Sequence, residues 1–262
     1  MLKRIESVDN NRIKLVRKLH NKKTRDDIGK FVIEGYNLVE EAVRKNISID
    51  FVLVAEDFDA SEIVFACNEM GMRDIFELPA VLLDKLAQTE NGHGIGILAV
   101  VNKPDSGRIS NLSEASNVLV FDRIQDPGNL GTMIRTAVAA GYEMVITLKG
   151  TADVFSAKVL RSTAGMIFDI PILSVNNAEE LANLLKSANK RIVVTTPVGG
   201  RPYYEEKLRD GIALVIGNEG NGISDEILSI ADVRVNIPMR GDIESLNAAV
   251  SAAILMYEAV RE

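Results

Sequence analysis

The sequence predicts an α/β protein of two domains, the larger built on a parallel sheet and preceded by a smaller α/β domain. Three observations predict it. Apolar runs of strand length alternate with amphipathic stretches of helical length along the chain. The alternation fails between Asn102 and Ala115, where Pro104, Asp105, Ser106, Gly107, Ser110, Asn111 and Ser113 supply turn and linker chemistry. Beyond that break the strands are rich in Val, Ile and Leu without polar alternation, as expected of a sheet covered by helices on both faces. With 262 residues, 47% of them apolar, the chain can bury a sizeable core, which excludes a disordered or fibrous protein.

In the first domain, residues 1–104, a helix is expected over 11–19, with Ile13, Val16 and Leu19 on one face and Arg12, Lys14, Arg17 and Lys18 mostly on the others. Strands follow at 31–33, 51–54, 75–76 and 95–101, with helices between. In the second domain, residues 113–262, strands are expected at 118–121, 144–148, 192–195, 213–216 and 233–237. The net charge of −7 argues against a nucleic-acid partner, but it hides an asymmetry. Over the first thirty residues ten lysines and arginines face four carboxylates, making a basic arm on an acidic body. Arg12, Lys14, Lys18, Lys22, Lys23 and Arg25 have two readings there, a solvated helix surface or contact with RNA.

Composition also excludes chemistry. Cys67 is the only cysteine, so no intrachain disulfide can form and a reducing compartment is expected. His20 and His93 have no second ligand at metal-binding spacing, so no metal is expected. Charges occupy the start of the chain where a secretory signal needs an apolar core, and the longest apolar-rich stretch, 248–256, is about half the ~20 residues a membrane span needs. The expectation is a soluble, cytoplasmic protein with no membrane association. Gly94-Ile95-Gly96-Ile97-Leu98-Ala99 fits a dinucleotide-binding string but opens a strand-like run rather than a helix. Neither a phosphate-binding loop nor a nucleophile elbow is present, against an NTPase or an esterase.

Three segments carry potential chemistry. In the first, Asp126-Pro127 forms an N-cap and first helical residue, placing Asn129 and Arg135 on one helix nearly two turns apart. Apolar neighbours Met133, Ile134, Ala137 and Val138 imply that Arg135 is buried and needs a carboxylate or phosphate, although a surface salt bridge is the plainer account. The second, Gly217-Asn218-Glu219-Gly220-Asn221-Gly222, leaves a strand where open α/β sheets bind ligands, and Glu219 is the expected partner of Arg135. Read alone it is an ordinary strand-to-helix turn. In the third, Ile237-Pro238-Met239 leads to Ser245-Leu246-Asn247 and an Ala-rich helix, with Ser245 as expected N-cap and Asn247 in the first turn. Ala248, Ala249, Ala252 and Ala253 would let another helix approach closely, including one from a second subunit.

In this order, Asn129-x-Gly131-x-x-x-Arg135, Gly217-Asn218-Glu219-Gly220, and Ile237-Pro238-Met239 with Ser245-Leu246-Asn247 resemble the three motifs of the SpoU (TrmH) family of RNA ribose 2′-O-methyltransferases, within the SPOUT superfamily. The leading domain, with Lys30-Phe31-Val32-Ile33-Glu34-Gly35, is similar to that family's L30e-like substrate-binding domain. The resemblance implies a parallel sheet threaded into a deep trefoil knot, which ordinary topology rules nearly forbid. It implies S-adenosylmethionine as cofactor, held by Thr195, Thr196, Gly217, Asn218, Gly220, Ile237, Pro238, Met239 and Leu246. It implies a catalytic set of Asn129, Arg135, Glu219, Ser245 and Asn247, a homodimer joined through the C-terminal domain, and RNA as substrate, ribosomal in preference to transfer RNA. Arg161 becomes a further RNA-phosphate candidate, although its surroundings depart from the family pattern: Ala157 precedes Lys158 where Pro is common, and Thr163 stands for Ser.

The implied mechanism aligns a ribose hydroxyl with a sulfonium methyl, with Arg135 binding the adjacent phosphate and orienting or deprotonating the hydroxyl. Orientation is the easier role for a group with a pKa above ~12. Two other readings compete: a non-catalytic RNA-binding or ribosome-assembly factor that keeps the fold, and a nucleotide-dependent oxidoreductase. The five polar residues together exceed what binding alone requires.

Overall fold

A computed structural model describes residues 2–88, 95–104, 112–197, 199–209, 211–241 and 245–261. His93, Gly94 and most of the expected linker lie outside the described residues. The chain divides into two compact units, Met1–Pro104 with Phe155–Phe168, and Asp105–Val154 with Asp169–Glu262.

In the first unit β1 (Lys3–Arg4) is followed by α1 (Asn11–Leu19), α2 (Lys22–Ile28), β2 (Lys30–Glu34), α3 (Tyr36–Arg44), β3 (Ile49–Ala55), α4 (Ser61–Glu69), β4 (Ile75–Leu78), α5 (Ala80–Asp84) and β5 (Ile97–Asn102). Helix α1 starts where the Asn10 side chain accepts from Arg12 N, and it buries Ile13, Val16 and Leu19 as its periodicity requires. The sheet runs β1-β4-β3-β5-β2, with β1, β4 and β3 parallel and β5 antiparallel to both its neighbours. Strand β1 is two charged residues long, so no apolar pattern announces it; its cation Lys3 lies over the Phe76 ring. Gly96 adopts φ +66, and a Cβ there would fall 2.0 Å from the Phe58 ring. This glycine therefore serves the entry to β5, a strand, and not a nucleotide-binding turn.

The second unit contains β6 (Val118–Asp122), α6 (Pro127–Ala139), β7 (Met144–Leu148), β8 (Ile172–Val175), α8 (Ala178–Ser187), β9 (Arg191–Thr195), β10 (Arg201–Pro202), β11 (Ile212–Gly217), α9 (Asp225–Ile230), β12 (Val233–Asn236) and α10 (Ala248–Ala259). Helix α7 (Ala157–Ser162) falls between β7 and β8 in sequence but belongs to the first unit. The seven strands are all parallel, in the order β10-β12-β9-β11-β6-β7-β8. One face packs Val118, Val120, Ile146, Val194 and Val215 against Leu181, Leu185 and Ile227 of α8 and α9. The alternate residues Leu119, Phe121, Val145, Val193 and Leu214 are buried on the other face, which explains the unbroken apolar strands. Strand β11 lies between β6 and β9 although it follows both in sequence, an order that fits the threaded topology the resemblance implies.

The sequence places the 155–168 segment in a continuous second domain, yet it belongs to the first unit. The Phe155 ring lies 4.7 Å from that of Phe31, Lys103 sits over it at 4.8 Å, and Arg161 reaches the buried carboxylate of Glu34 at 3.5 Å. Among the described residues no helix is long and apolar enough to cross a membrane.

Candidate active site

In a parallel sheet all strands deliver their C-terminal ends to one edge, and here β6, β11, β9 and β12 deliver the residues singled out from sequence. Register places Gly217 beside Asp122 and Thr195 beside Val235. Asp122 is 2% exposed; its carboxylate accepts from Ser224 N at 2.6 Å and from Arg123 Nε at 3.1 Å. The chain then turns through Arg123, whose φ of +60 is uncommon for a residue with a side chain. Asn218 Nδ2 donates to the Arg123 carbonyl at 2.8 Å, and Gln125 Nε2 donates to the Gly150 carbonyl.

That turn aims two backbone amides at one carboxylate: Gln125 N and Asp126 N each donate to Glu219 at 3.1 Å. Asp126 caps α6 by accepting from Asn129 N at 2.7 Å, with Pro127 in the first helical position. Asn129 Nδ2 then donates to Glu219 Oε1 at 3.2 Å, and Asn247 Nδ2 donates to Asn129 Oδ1 at 3.0 Å. The order of donors is fixed from the far end. Asn247 Oδ1 accepts from Ala249 N and Val250 N, so its amide group must face Asn129, whose own amide group is thereby turned to the carboxylate. The three sequence motifs thus meet in one hydrogen-bonded chain.

Burial pushes the Glu219 carboxyl up, but the donors from Gln125, its own backbone, Asn129 and Asp126 outweigh it and hold the group below its ordinary value. Glu219 is an anion stabilised by amide donors, with no cation paired to it among the described residues. These residues open onto a cleft of about 570 Å³ lined by Asp126, Asn129, Glu219, Ser245, Leu246, Asn247 and Ala248.

Beside the cleft, Gly217, Asn218 and Gly220 form a tight loop. Asn218 and Gly222 exchange both backbone bonds at 2.9 Å, while Asn218 Oδ1 accepts from Gly220 N and Asn221 N at 3.0 Å. A Cβ on Gly217 would lie 2.4 Å from the Gly222 carbonyl carbon, so only glycine fits. Thr195 ends β9, Thr196 N donates to the Val235 carbonyl at 2.9 Å, and Ile237, Pro238 and Met239 follow β12 directly. The side-chain oxygen of Asn236, next to Ile237, is buried without a hydrogen-bond partner among the described residues. An unpartnered acceptor at the end of β12 fits a ligand with N–H donors such as S-adenosylmethionine.

Several expectations need correction. Arg135 is exposed and makes no ion pair among the described residues, and Glu219 does not pair with it. The exposed positions Thr132, Arg135 and Ala139 form a three-and-seven stripe facing away from the buried Met133, Ile134 and Ala137. The N-cap of α10 is Asn247, not Ser245, which lines the cleft. Among the RNA candidates, Arg25 is 5% exposed and donates to the Leu19 carbonyl at 2.5 Å, so it closes the end of α1. Arg12 lies 4.0 Å from the Phe76 ring centre and pairs with Asp74, Lys14 pairs with Asp9, and Arg161 pairs with Glu34. Lys18, Lys22 and Lys23 are exposed. Asp122 and Gln125 were missed as supports of the site; a carboxylate ending a wholly apolar strand was the available signal for the first.

The SpoU rRNA Methylase family model matches residues 116–257, and the MRM3-like substrate binding domain matches 10–96. The chain is 38% identical, over 98% of itself and 98% of the relative, to the 23S rRNA (guanosine(2553)-2′-O)-methyltransferase RlmP of Bacillus subtilis. It is similar to the AdoMet-bound rRNA methyltransferase of Sinorhizobium meliloti, with TM-score 0.84 and 28% identity over 98% of this chain and 97% of that one. It is also similar to the AdoMet complex of the SpoU methyltransferase AviRb of Streptomyces viridochromogenes, with TM-score 0.86 and 28% identity over 96% and 97% of the two chains. A polar cleft assembled from three motifs at one sheet edge, with these likenesses along nearly its whole length, shows that the chain belongs to the SpoU rRNA methylase family of S-adenosylmethionine-dependent RNA 2′-O-methyltransferases.

Proposed function

We propose that this enzyme methylates a ribose 2′-hydroxyl of large-subunit ribosomal RNA in the cytoplasm, working as a homodimer. The observation that carries the reading is the hydrogen-bonded chain Glu219–Asn129–Asn247, which draws the three motifs into one cleft. The ribosomal substrate rests on the likeness to RlmP over almost the full chain. S-adenosylmethionine, when bound, supplies an electrophilic sulfonium methyl that needs no metal to leave. Thr195, Thr196, Gly217, Asn218, Gly220, Ile237, Pro238, Met239 and Leu246 would hold it.

The chain's own residues position the hydroxyl. Asn129, fixed at both ends of its amide, presents no freely rotating group, so the wall of the cleft is preorganised. Ser245 offers its hydroxyl to the ribose from the same wall. Arg135 binds the phosphate next to the target ribose and orients the hydroxyl. Its guanidinium is free for this because no carboxylate among the described residues occupies it. Six residues along a helix turn a side chain about 120° from its starting face, so Arg135 does not share the face of Asn129. We assign it to the site of the second subunit. The exposed apolar residues Val250 and Tyr257 of α10, with Val260 just past its end, support an interface on that helix.

In the first unit, Lys18, Lys22 and Lys23 contact RNA phosphates. The test is to map 2′-O-methyl groups in 23S rRNA from a strain lacking the gene. One modification should vanish and return with the wild-type gene but not with Asn129→Ala; an unchanged ribosomal RNA map accompanied by a lost transfer-RNA modification would reassign the substrate.

A further inference from the structure

Aromatic residues make up 5% of this chain, and most of those described are buried or half-buried. Three described aromatics have more than half their surface exposed. Phe65 stands on α4 between the carboxylates Glu62 and Glu69, with neither a second ring nor a cation against it among the described residues. Tyr257 shares the apolar side of α10 with Val250. Tyr204 differs from both: it is 53% exposed, it has a second aromatic ring against it, and of the two carboxylates that follow it Glu206 is engaged by Arg201 while Glu205 is exposed.

Tyr203 and Tyr204 occupy a single turn of tight helix directly after β10. Their ring centres are 5.3 Å apart with planes at 75°, so Tyr203 buttresses Tyr204. Neither hydroxyl has a hydrogen-bond partner among the described residues, and the pair serves no polar network there. The turn is nonetheless held. Arg201 and Pro202 pair in register with Val235 and Asn236 of β12, and Arg201 bonds Glu206 at 3.1 Å across the turn. The Arg201 side chain is still 77% exposed. Because every strand in this sheet is parallel, the pair emerges at the same edge as Thr195, Gly217 and Ile237. Strand β10 is two positions from β9, about 10 Å away at the usual strand spacing.

From this placement we propose that Tyr204, backed by Tyr203, is a stacking platform for a nucleobase of the RNA substrate, with Arg201 beside it facing the RNA backbone. A planar heteroaromatic ring is the shared chemistry of two sources, a base of the RNA and the adenine of the cofactor. The openness of Tyr204 favours RNA, because a small ligand is normally enclosed over most of its surface. A position two strands out from β9 puts the platform at a nucleotide near the target. The proposal rests on RNA methylation as the activity.

The test uses the full-length enzyme with Tyr204→Leu and Tyr204→Phe. Methylation of an unmodified 23S rRNA transcript, direct binding of that transcript, cofactor binding by calorimetry, and oligomeric state by sedimentation are each measured. Tyr204→Leu should raise the KM for RNA and weaken transcript binding by on the order of ten-fold, as loss of one base–aromatic stack does. Cofactor affinity and oligomeric state should not move, and Tyr204→Phe should behave as wild type. Unchanged RNA affinity in Tyr204→Leu overturns the platform, as does weakened cofactor binding or a dissociated oligomer. A wild-type enzyme that binds the transcript without methylating it refutes the substrate reading instead, while the binding arm still decides the platform.

Discussion

The two units use charge in opposite ways. In the first, cations abundant in sequence are largely consumed by structure: Arg25 closes a helix end, Arg12 lies on an aromatic ring, Lys30 pairs with Asp50, and Lys103 pairs with Asp26. In the second, the central charge is a carboxylate, Glu219, whose partners among the described residues are all amide donors. The difference teaches that the same composition serves two ends: several cations of the first unit are held by the protein itself, whereas Glu219 has only amide donors among the described residues. Neutral donors fix the anion's position without filling the cleft with a long basic side chain.

The largest effect is expected at the division of labour between Asn129 and Arg135. Arg135→Ala should lower methyl transfer by orders of magnitude while cofactor affinity, measured by calorimetry, survives. Mixing Arg135→Ala subunits with Asn129→Ala subunits should restore activity if one site draws on two copies, since a mixed dimer then holds one site with both residues intact. Failure of the mixture to recover any activity would return Arg135 to its own subunit's site.

The next effect concerns the amide-held carboxylate. Glu219→Gln replaces an acceptor oxygen by a donor facing Gln125 N, Asp126 N or Asn129 Nδ2, so a hydrogen bond is lost and donors oppose each other. Because Glu219 is exposed and water can replace a lost partner, a loss of about 0.5–1.5 kcal/mol in unfolding free energy is expected, read by denaturant titration, with activity falling further. The sign of the pH dependence follows from the depressed pKa. The carboxyl's contribution is present above its unfolded pKa and is lost as pH falls through its lower folded value, so wild type and Glu219→Gln should converge in stability only in acid below the ordinary glutamate range. Convergence near neutral pH would show that the amides do not stabilise the anion.

The smallest effect separates the cations of the first unit. Arg25→Ala should cost about 1.5–3 kcal/mol of stability through its lost bond to Leu19 and leave the salt dependence of RNA binding unchanged. Replacing Lys18, Lys22 and Lys23 together by Ala should leave stability within about 0.5 kcal/mol. The same triple variant should weaken RNA binding and flatten its salt slope by about 0.7–0.9 per phosphate contact removed. An unchanged slope in the triple variant would move the RNA surface elsewhere.

Much of this was legible in sequence where local rules and tertiary structure agree. Helix α1 begins and ends where its cap and periodicity say, and the apolar runs at Val118–Asp122, Met144–Leu148 and Ile212–Gly217 are central strands. The three motifs were legible as segments, but not the bonds that join them. Ser245 and Asn247 are both capable caps two residues apart, and only the approach of Asn129 selects the second. Arg135 has apolar sequence neighbours that suggest burial, yet it lies on the outward stripe of Thr132, Arg135 and Ala139. Strand β1 pairs charged residues, and nothing local foretells its place beside β4. Phe155, Val159 and Leu160 likewise declare that they are core without declaring which core.

That last segment sets an order in time. Phe31 meets its ring partner only at Phe155, and Glu34 its arginine only at Arg161, so the first unit is unfinished when its own strands have been made. A ribosome adding about 5–20 residues per second must synthesise β6, α6 and β7 before that core can close. For those seconds the nascent chain carries an incomplete apolar layer at its leading end, and closing it belongs to a later moment of synthesis than the numbering of its strands implies.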